Sequence, residues 1–194
     1  PYAKQVIGIC LGAGHTAEFD QWFGGEGWPG GNGGDWCGES VRRFRLWLRD
    51  KYDDDVEKLR QAWGDPNVTF ENAEIKGYKL PVDPVTSFND ARGNQAIYDY
   101  GLYRSAQTME TIQAWCKSIK HASDGRMITG AHWAVGDGGC QLMNTSPWID
   151  FGGGPGTYFN RRPGGHRRLD FIGEDLRRNG KWFFEEMDIR TKFY

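Results

Sequence analysis

Apolar residues along this chain fall into two kinds of run. Short, nearly continuous stretches occur at residues 5–11, 126–135, 148–152 and 181–186, and longer stretches at helical spacing lie between them. Short runs with little alternation read as strands buried on both faces, the pattern of a parallel sheet, which needs helices to cover it. The succession is therefore α/β. Between the first two strands, a helix is predicted to begin near Ser40, with Val41, Phe44, Leu48 and Tyr52 on one face. Asp54, with Glu57 three residues on, forms a capping-box pattern that opens a second, shorter helix, stopped by Gly64. A third helical pattern runs from about Asn94 to His121, with Leu102, Ala106, Met109, Ile112, Cys116 and Ile119 on one broad face, and the Ser123-Asp124-Gly125 turn ends it.

Two segments interrupt this order. Residues 24–38 are a glycine-rich loop, and residues 65–93 carry acids and prolines without a periodic apolar face and read as an excursion over the rim of the fold. A further helix is expected around residues 168–178. Only residues 136–147 connect the second and third strands. A parallel crossover usually takes a dozen or more residues with a helix, so the helix there is expected to be very short or absent.

Chemistry gathers where two of the strands end. In Lys181-Trp182-Phe183-Phe184-Glu185-Glu186-Met187-Asp188-Ile189-Arg190 the apolar run stops abruptly in carboxylates and an arginine. The carboxyl ends of parallel strands are where such sheets bind ligands. The plainer alternative is a salt-bridged strand end, with Arg190 neutralising Asp188 or a glutamate. The first strand passes through Gly12-Ala13-Gly14-His15-Thr16-Ala17 to a lone Glu18, followed by Phe19, Trp22, Phe23 and Trp28. Flat rings stack on sugar faces, and an apolar setting raises a carboxyl pKa towards that of a general acid. The alternative is a solvated loop acid beside core aromatics.

Composition narrows the field without naming a reaction. The chain has 194 residues and a formal net charge of −2, with a pI near 6.1, which gives no electrostatic reason to expect nucleic acid or an anionic membrane as partner. Aromatics make up 14% of residues, nine of them tryptophan, enough to suggest ligand stacking beside packing. Cys10, Cys37, Cys116 and Cys140 are scattered without a CxxC pair, which favours free thiols over a disulfide framework and shows no zinc site. No cofactor is called for. His132 and His15 read as polar groups lining a pocket, and His121 and His166 as surface residues.

Four blocks, taken in order, resemble β-galactosidase-like glycoside hydrolases of the family 42 type and their relatives among the retaining (β/α)8 enzymes. They are residues 6–22; Phe44-Arg45-Leu46-Trp47-Leu48-Arg49-Asp50-Lys51-Tyr52 with Leu59-Arg60-Gln61-Ala62-Trp63-Gly64; Ser146-Pro147-Trp148-Ile149-Asp150-Phe151 with Pro155-Gly156-Thr157-Tyr158-Phe159-Asn160-Arg161; and residues 180–191. The WLRxKY…LRxAWG pair is the most specific. The resemblance covers nearly the whole chain and implies a partial TIM barrel, strands four to seven with their helices, so that residues 1–194 read as part of a catalytic barrel. An open half-barrel of this kind would expose strand edges and an apolar face, and on its own it is expected to be poorly soluble and inactive.

The resemblance also implies roles. In such families a glutamate after the fourth strand is the acid/base and another at the end of the seventh is the nucleophile; motif for motif these are Glu18 and Glu186. Glu186 is preferred to Glu185 because the relatives end this strand with an acid two residues before an Asp, as in Glu186-Met187-Asp188. Ala17 stands where the clan usually has Asn, and Glu18 follows its strand later than the usual pair, which leaves Glu26 and Glu39 as fallback acids. His15, Trp22, His132, Trp133, Tyr158, Asn160, Arg161, Asp188 and Arg190 are the candidates for the sugar pocket. The implied activity is β-galactosidase-like hydrolysis of a terminal glycosidic bond by double displacement. Alternatives are a catalytically silent carbohydrate-binding barrel, or a glycosidase of another specificity. The implied partner is a carbohydrate, and a homo-oligomer of a longer parent is compatible with it.

Overall fold

The computed structural model describes residues 4–12, 35–77, 92–132, 146–154 and 176–185. Its elements are β1 (Gly8–Leu11), α1 (Gly38–Lys51), α2 (Val56–Trp63), α3 (Gln95–Ala122), β2 (Ile128–His132), β3 (Phe151–Gly154) and β4 (Trp182–Glu185). The chain divides into two compact units, residues 22–104 and residues 1–21 with 105–194.

The first unit is helical. α1 starts two residues before Ser40, with the Cys37 sulfur accepting the Ser40 N–H at 3.5 Å. Glu39 in its first turn and Arg49 and Lys51 in its last complement the helix dipole. Phe44 and Leu48 are fully buried and Tyr52 nearly so, as the spacing predicts. The cap of α2 differs from expectation. Asp54 adopts φ 56° and pairs with Arg49, so the capping carboxylate is that of Asp55, which accepts the Glu57 N–H at 2.9 Å. With the cap shifted by one residue, Glu57 no longer stands at the capping-box position. Gly64, at φ 65°, ends α2 in the left-handed conformation that glycine adopts without a Cβ penalty.

Residues 65–77, the start of the expected rim excursion, bring Val68, Phe70, Ala73 and Ile75 into the same core as Phe44, Leu48, Leu59, Tyr100 and Tyr103. With neither helix nor strand to satisfy their carbonyls, three side chains take over. Arg60 Nε donates to Val68 O at 3.1 Å, Arg45 Nε to Ala73 O at 3.0 Å and Trp36 Nε1 to Ile75 O at 3.1 Å.

α3 buries different stripes along its length. In the first unit Asp99, Tyr100 and Tyr103 are its buried positions, while in the second Met109, Ile112 and Cys116 are. At about 100° per residue these two sets lie on different faces of the helix. Leu102 belongs angularly to the second set, and the continuous face expected from it fails there: Leu102 is exposed.

The second unit is a four-stranded parallel sheet in the order β1-β2-β3-β4. Register pairs Leu11 with Ala131, His132 with Gly153 and Gly154 with Glu185. Met109, Ile112 and Cys116 of α3 cover the sheet face that carries Leu11 and Ala131, joined by Ile149 and Trp148. On the other face β2 and β3 approach closely. A Cβ at Gly130 would overlap the Phe151 carbonyl and ring, and one at Gly8 would overlap Ile128. Strand limits are narrower than the apolar runs suggest. Met127 and Arg126 belong to the turn before β2, where Arg126 Nη1 donates to Val6 O at 2.8 Å. Trp148 lies in a turn ahead of β3 and packs on the end of α3, with Lys117 Nζ 5.3 Å and the His121 ring 5.7 Å from its rings.

Candidate active site

A parallel sheet offers two ends with different chemistry: the carboxyl ends of its strands receive ligands, and the amino ends hold the fold together. At the carboxyl end of this sheet, β1 finishes at Leu11, β2 at the half-buried His132, β3 at Gly154 and β4 at Glu185. His132 thus stands at the end of its strand and in register with Gly153, whereas the apolar run places it inside a strand reaching Val135. Glu186 is the residue that follows β4, Trp133 the one that follows β2, and Tyr158 comes four residues after β3. Glu186, Trp133 and Tyr158, with His15, Glu18, Trp22, Glu26, Asn160, Arg161, Asp188 and Arg190, lie outside the described residues.

Glu39 is described, and it is not an acid of the required kind. It sits exposed in the first turn of α1, accepting from Arg42 Nε at 2.8 Å and Arg43 Nε at 2.7 Å. Those hydrogen bonds, with the charge of both guanidinium groups, lower its pKa to about 2. A general acid must hold its proton near neutral pH, so Glu39 drops out as a fallback.

The amino end of the sheet carries a polar network that sequence reasoning did not single out. Asp150, just ahead of β3, accepts from Lys120 Nζ at 2.5 Å and from the Thr129 N–H at 2.7 Å, and the Thr129 hydroxyl donates to Trp148 O at 2.7 Å. Lys181, ahead of β4, donates to Ser146 O at 2.5 Å, and burial lowers its pKa. These groups fix the turns that feed β2, β3 and β4, and they lie at the end opposite His132. The signal in the sequence was an acid at the mouth of an apolar strand.

A second unheralded network holds the helical unit. The Asp99 side chain is fully buried and accepts four donors: Lys51 Nζ at 2.5 Å, Tyr52 OH at 2.7 Å, Trp63 Nε1 at 2.9 Å and Gln95 Nε2 at 2.7 Å. Burial, then the hydrogen bond and charge of Asp99, push the Tyr52 hydroxyl pKa well up. Around them the Phe44 ring meets Trp47, Trp63, Tyr100 and Tyr103 at centroid separations of 5.3–6.4 Å. Most of the WLRxKY…LRxAWG residues are thereby accounted for, the exposed Ala62 excepted. Leu48 and Leu59 fill the core; Lys51, Tyr52 and Trp63 satisfy Asp99; Arg49 pairs with Asp54 and Glu71; Gly64 turns the chain.

Among the described residues no cluster of His, Cys, Asp and Glu could hold a metal ion, and Cys10, Cys37 and Cys116 are free thiols. No described helix is long and apolar enough to cross a membrane.

A helix packed on a parallel sheet in one unit and three helical segments in the chain define an α/β protein. The model of the glycoside hydrolase 42 family, described as beta-galactosidase, matches residues 30–151, more than half of the chain, and the chain belongs to that family. No curated protein and no solved structure gives a significant match. The matched span takes in α1, α2, α3 and β2, and it excludes both Glu18 and Glu186.

Proposed function

We propose that this chain supplies strands four to seven of a (β/α)8 barrel and is a retaining β-galactosidase-like glycosidase with Glu18 as acid/base and Glu186 as nucleophile. The observation that carries the proposal is the order and direction of the sheet. Among the described residues four strands run parallel, each paired with the next in sequence, with His132 at the carboxyl end and Glu186 next in the chain after β4. Such ends are where barrel enzymes gather catalytic residues. Residues 24–38 and 65–93 are read as loop and excursion on the rim of the same barrel.

In the first step the Glu186 carboxylate attacks the anomeric carbon while Glu18 protonates the departing glycosidic oxygen. In the second, Glu18 takes a proton from water, the water oxygen bonds to the anomeric carbon, and Glu186 leaves as carboxylate. The two acids need opposite protonation states. Arg190 and a hydrogen bond from Tyr158 would keep Glu186 ionised, while the rings that follow Glu18 in sequence favour its neutral form. His132, Trp133, Asn160, Arg161, His15, Trp22 and Asp188 would line the sugar pocket. A retaining pair needs its carboxyl groups about 5–5.5 Å apart.

The test is a pair of substitutions in the full-length parent, assayed on aryl galactosides. Glu186→Ala should abolish hydrolysis, and azide should restore turnover with inverted anomeric configuration. Glu18→Ala should slow substrates with poor leaving groups far more than activated ones. Effects smaller than about tenfold, ~1.4 kcal/mol of barrier, exclude this pair. Ala17, in place of the clan's usual Asn, favours a second reading, a silent carbohydrate-binding barrel. Wild-type protein that binds galactosides without cleaving them selects that reading.

A further inference from the structure

Most large aromatic side chains of the helical unit are enclosed by its core. Among the described aromatics of that unit Trp36 is the most exposed, ahead of Tyr98: half of its surface is in water, yet the indole is not loose. Its Nε1 donates to Ile75 O at 3.1 Å, and Ile75 itself is buried. The backbone on either side of Trp36 is pinned as well. The Asp35 N–H donates to the Tyr100 hydroxyl at 2.7 Å, the Cys37 N–H donates to the Asp35 carboxylate at 3.0 Å, and the Ser40 hydroxyl donates to that carboxylate. An indole serving only to seal the core would be covered. This one is held by its polar edge and presents the rest of the ring to solvent.

Its surroundings suit a polyhydroxylated ligand. Residues 73–77 alternate buried and exposed, so Ala73, Ile75 and Gly77 face inward while Glu74 and Lys76 face solvent on either side of the residue that holds Trp36. Lys76 Nζ and Glu74 Oε2 are 3.1 Å apart, and both side chains are more than half exposed. A flat ring tied to the residue between an exposed carboxylate and an exposed ammonium offers what a sugar recognises: an apolar platform for the C–H face and charged donor and acceptor groups for the hydroxyls. Because the ring is already immobile, binding would cost little side-chain entropy.

We infer that Trp36, with Glu74 and Lys76, is a carbohydrate-binding platform on the helical unit, separate from the catalytic pair and suited to a galactose-containing oligosaccharide. The ligand class rests on the glycosidase reading above; the existence of the platform does not. The probe is β-1,4-galactotetraose, titrated against the wild-type chain and its variants and followed by tryptophan fluorescence and heteronuclear NMR, with hydrolysis of a nitrophenyl β-galactoside measured on the same preparations. Trp36→Ala should weaken tetraose binding about tenfold, leave nitrophenyl galactoside hydrolysis unchanged, and remove the shift changes at residues 74–76. Trp36→Phe keeps a stacking ring and should retain most of the affinity. The double change Glu74→Gln and Lys76→Met touches only solvated groups, cannot act by unfolding the core, and should weaken binding severalfold. Equal affinity in the wild type, Trp36→Ala and the double variant overturns the platform and leaves the glycosidase reading intact. Trp36-dependent binding without any hydrolysis by the full-length parent sustains the platform and sinks the glycosidase reading.

Discussion

The helical unit and the sheet unit divide the work of recognition and of chemistry. Residues 22–104 hold the motif most specific to the family, and every charged or aromatic member of that motif that the structure describes is engaged in packing or in satisfying a buried group. The sheet unit holds short apolar strands with few distinguishing residues, and the acids proposed for catalysis come after its strand ends. The family model spans most of the helical unit and runs on through β2 of the sheet unit, and it reaches neither proposed acid. A sequence signature is strongest where a scaffold must satisfy many partners at once. It marks the protein without marking its active site.

If this contrast is right, the largest loss of stability should come from the Asp99 network. Asp99→Ala leaves four donors without their shared buried acceptor, one of them the ammonium of Lys51. Breaking a buried charged network by removing one partner costs about 3–5 kcal/mol, and urea unfolding followed by tryptophan fluorescence should show it. Leu48→Ala, in the same core, should cost about 2–5 kcal/mol by the loss of packing. A milder result than about 1 kcal/mol for both would make the helical unit no more a scaffold than the sheet.

The sheet should be sensitive at its amino end and its crossing glycines. Gly130→Ala forces a methyl group into the Phe151 carbonyl and ring, a clash expected to cost about 1–3 kcal/mol in the same assay. Asp150→Ala removes the acceptor for Lys120 and the Thr129 N–H and should cost about 1–3 kcal/mol. Neither change alters a group proposed to touch sugar, so the KM of the surviving folded fraction should be unchanged. A rise in KM would move chemistry to the wrong end of the sheet.

Two pH effects sharpen the comparison further. Tyr52 is held neutral in the folded state, so its pKa is raised above the ordinary value of 10.0. The unfolded chain then loses its phenolic proton first, and stability is full below about pH 10 and falls as pH rises above it. Tyr52→Phe should flatten that alkaline decline while costing roughly 1 kcal/mol at neutral pH for the lost hydrogen bond. The smallest effect is expected at Glu39. Its pKa is depressed from 4.5 to about 2, so any stabilisation is present above the unfolded value and is lost as pH falls through the folded one. Being fully exposed and screened, it should leave no resolvable change at neutral pH in Glu39→Gln, in a denaturation curve at moderate salt.

Much of the fold could be read from the sequence because apolar period and turn chemistry agree locally. The four strands, the three helices and the stop at Gly64 follow from such agreement. What escaped was set by tertiary partners. Nothing local says that Asp54 will turn to Arg49 and leave the cap to Asp55. Nor does spacing reveal that α3 changes its buried stripe between Tyr103 and Met109, since Leu102 fits a single continuous face perfectly well. Asp99, between two tyrosines on a helix, was a visible sign of a buried acid, but its four donors come from three separate segments. Of the site, the apolar run puts His132 within a strand reaching Val135, and β2 ends at it instead. The choice of Glu18 and Glu186 came from family resemblance and chain order, because an acid after a strand carries no local mark of its role.

The central claim is that the nucleophile is the acid next in chain to β4, outside the motif that marks the family. The most direct measurement is covalent trapping: reaction with a 2-deoxy-2-fluoro-β-galactosyl fluoride, then proteolysis and mass spectrometry of the labelled peptide. A fluorogalactosyl ester on Glu186 is the predicted result. A label on Glu185, Glu26 or any acid of the helical unit would contradict the account.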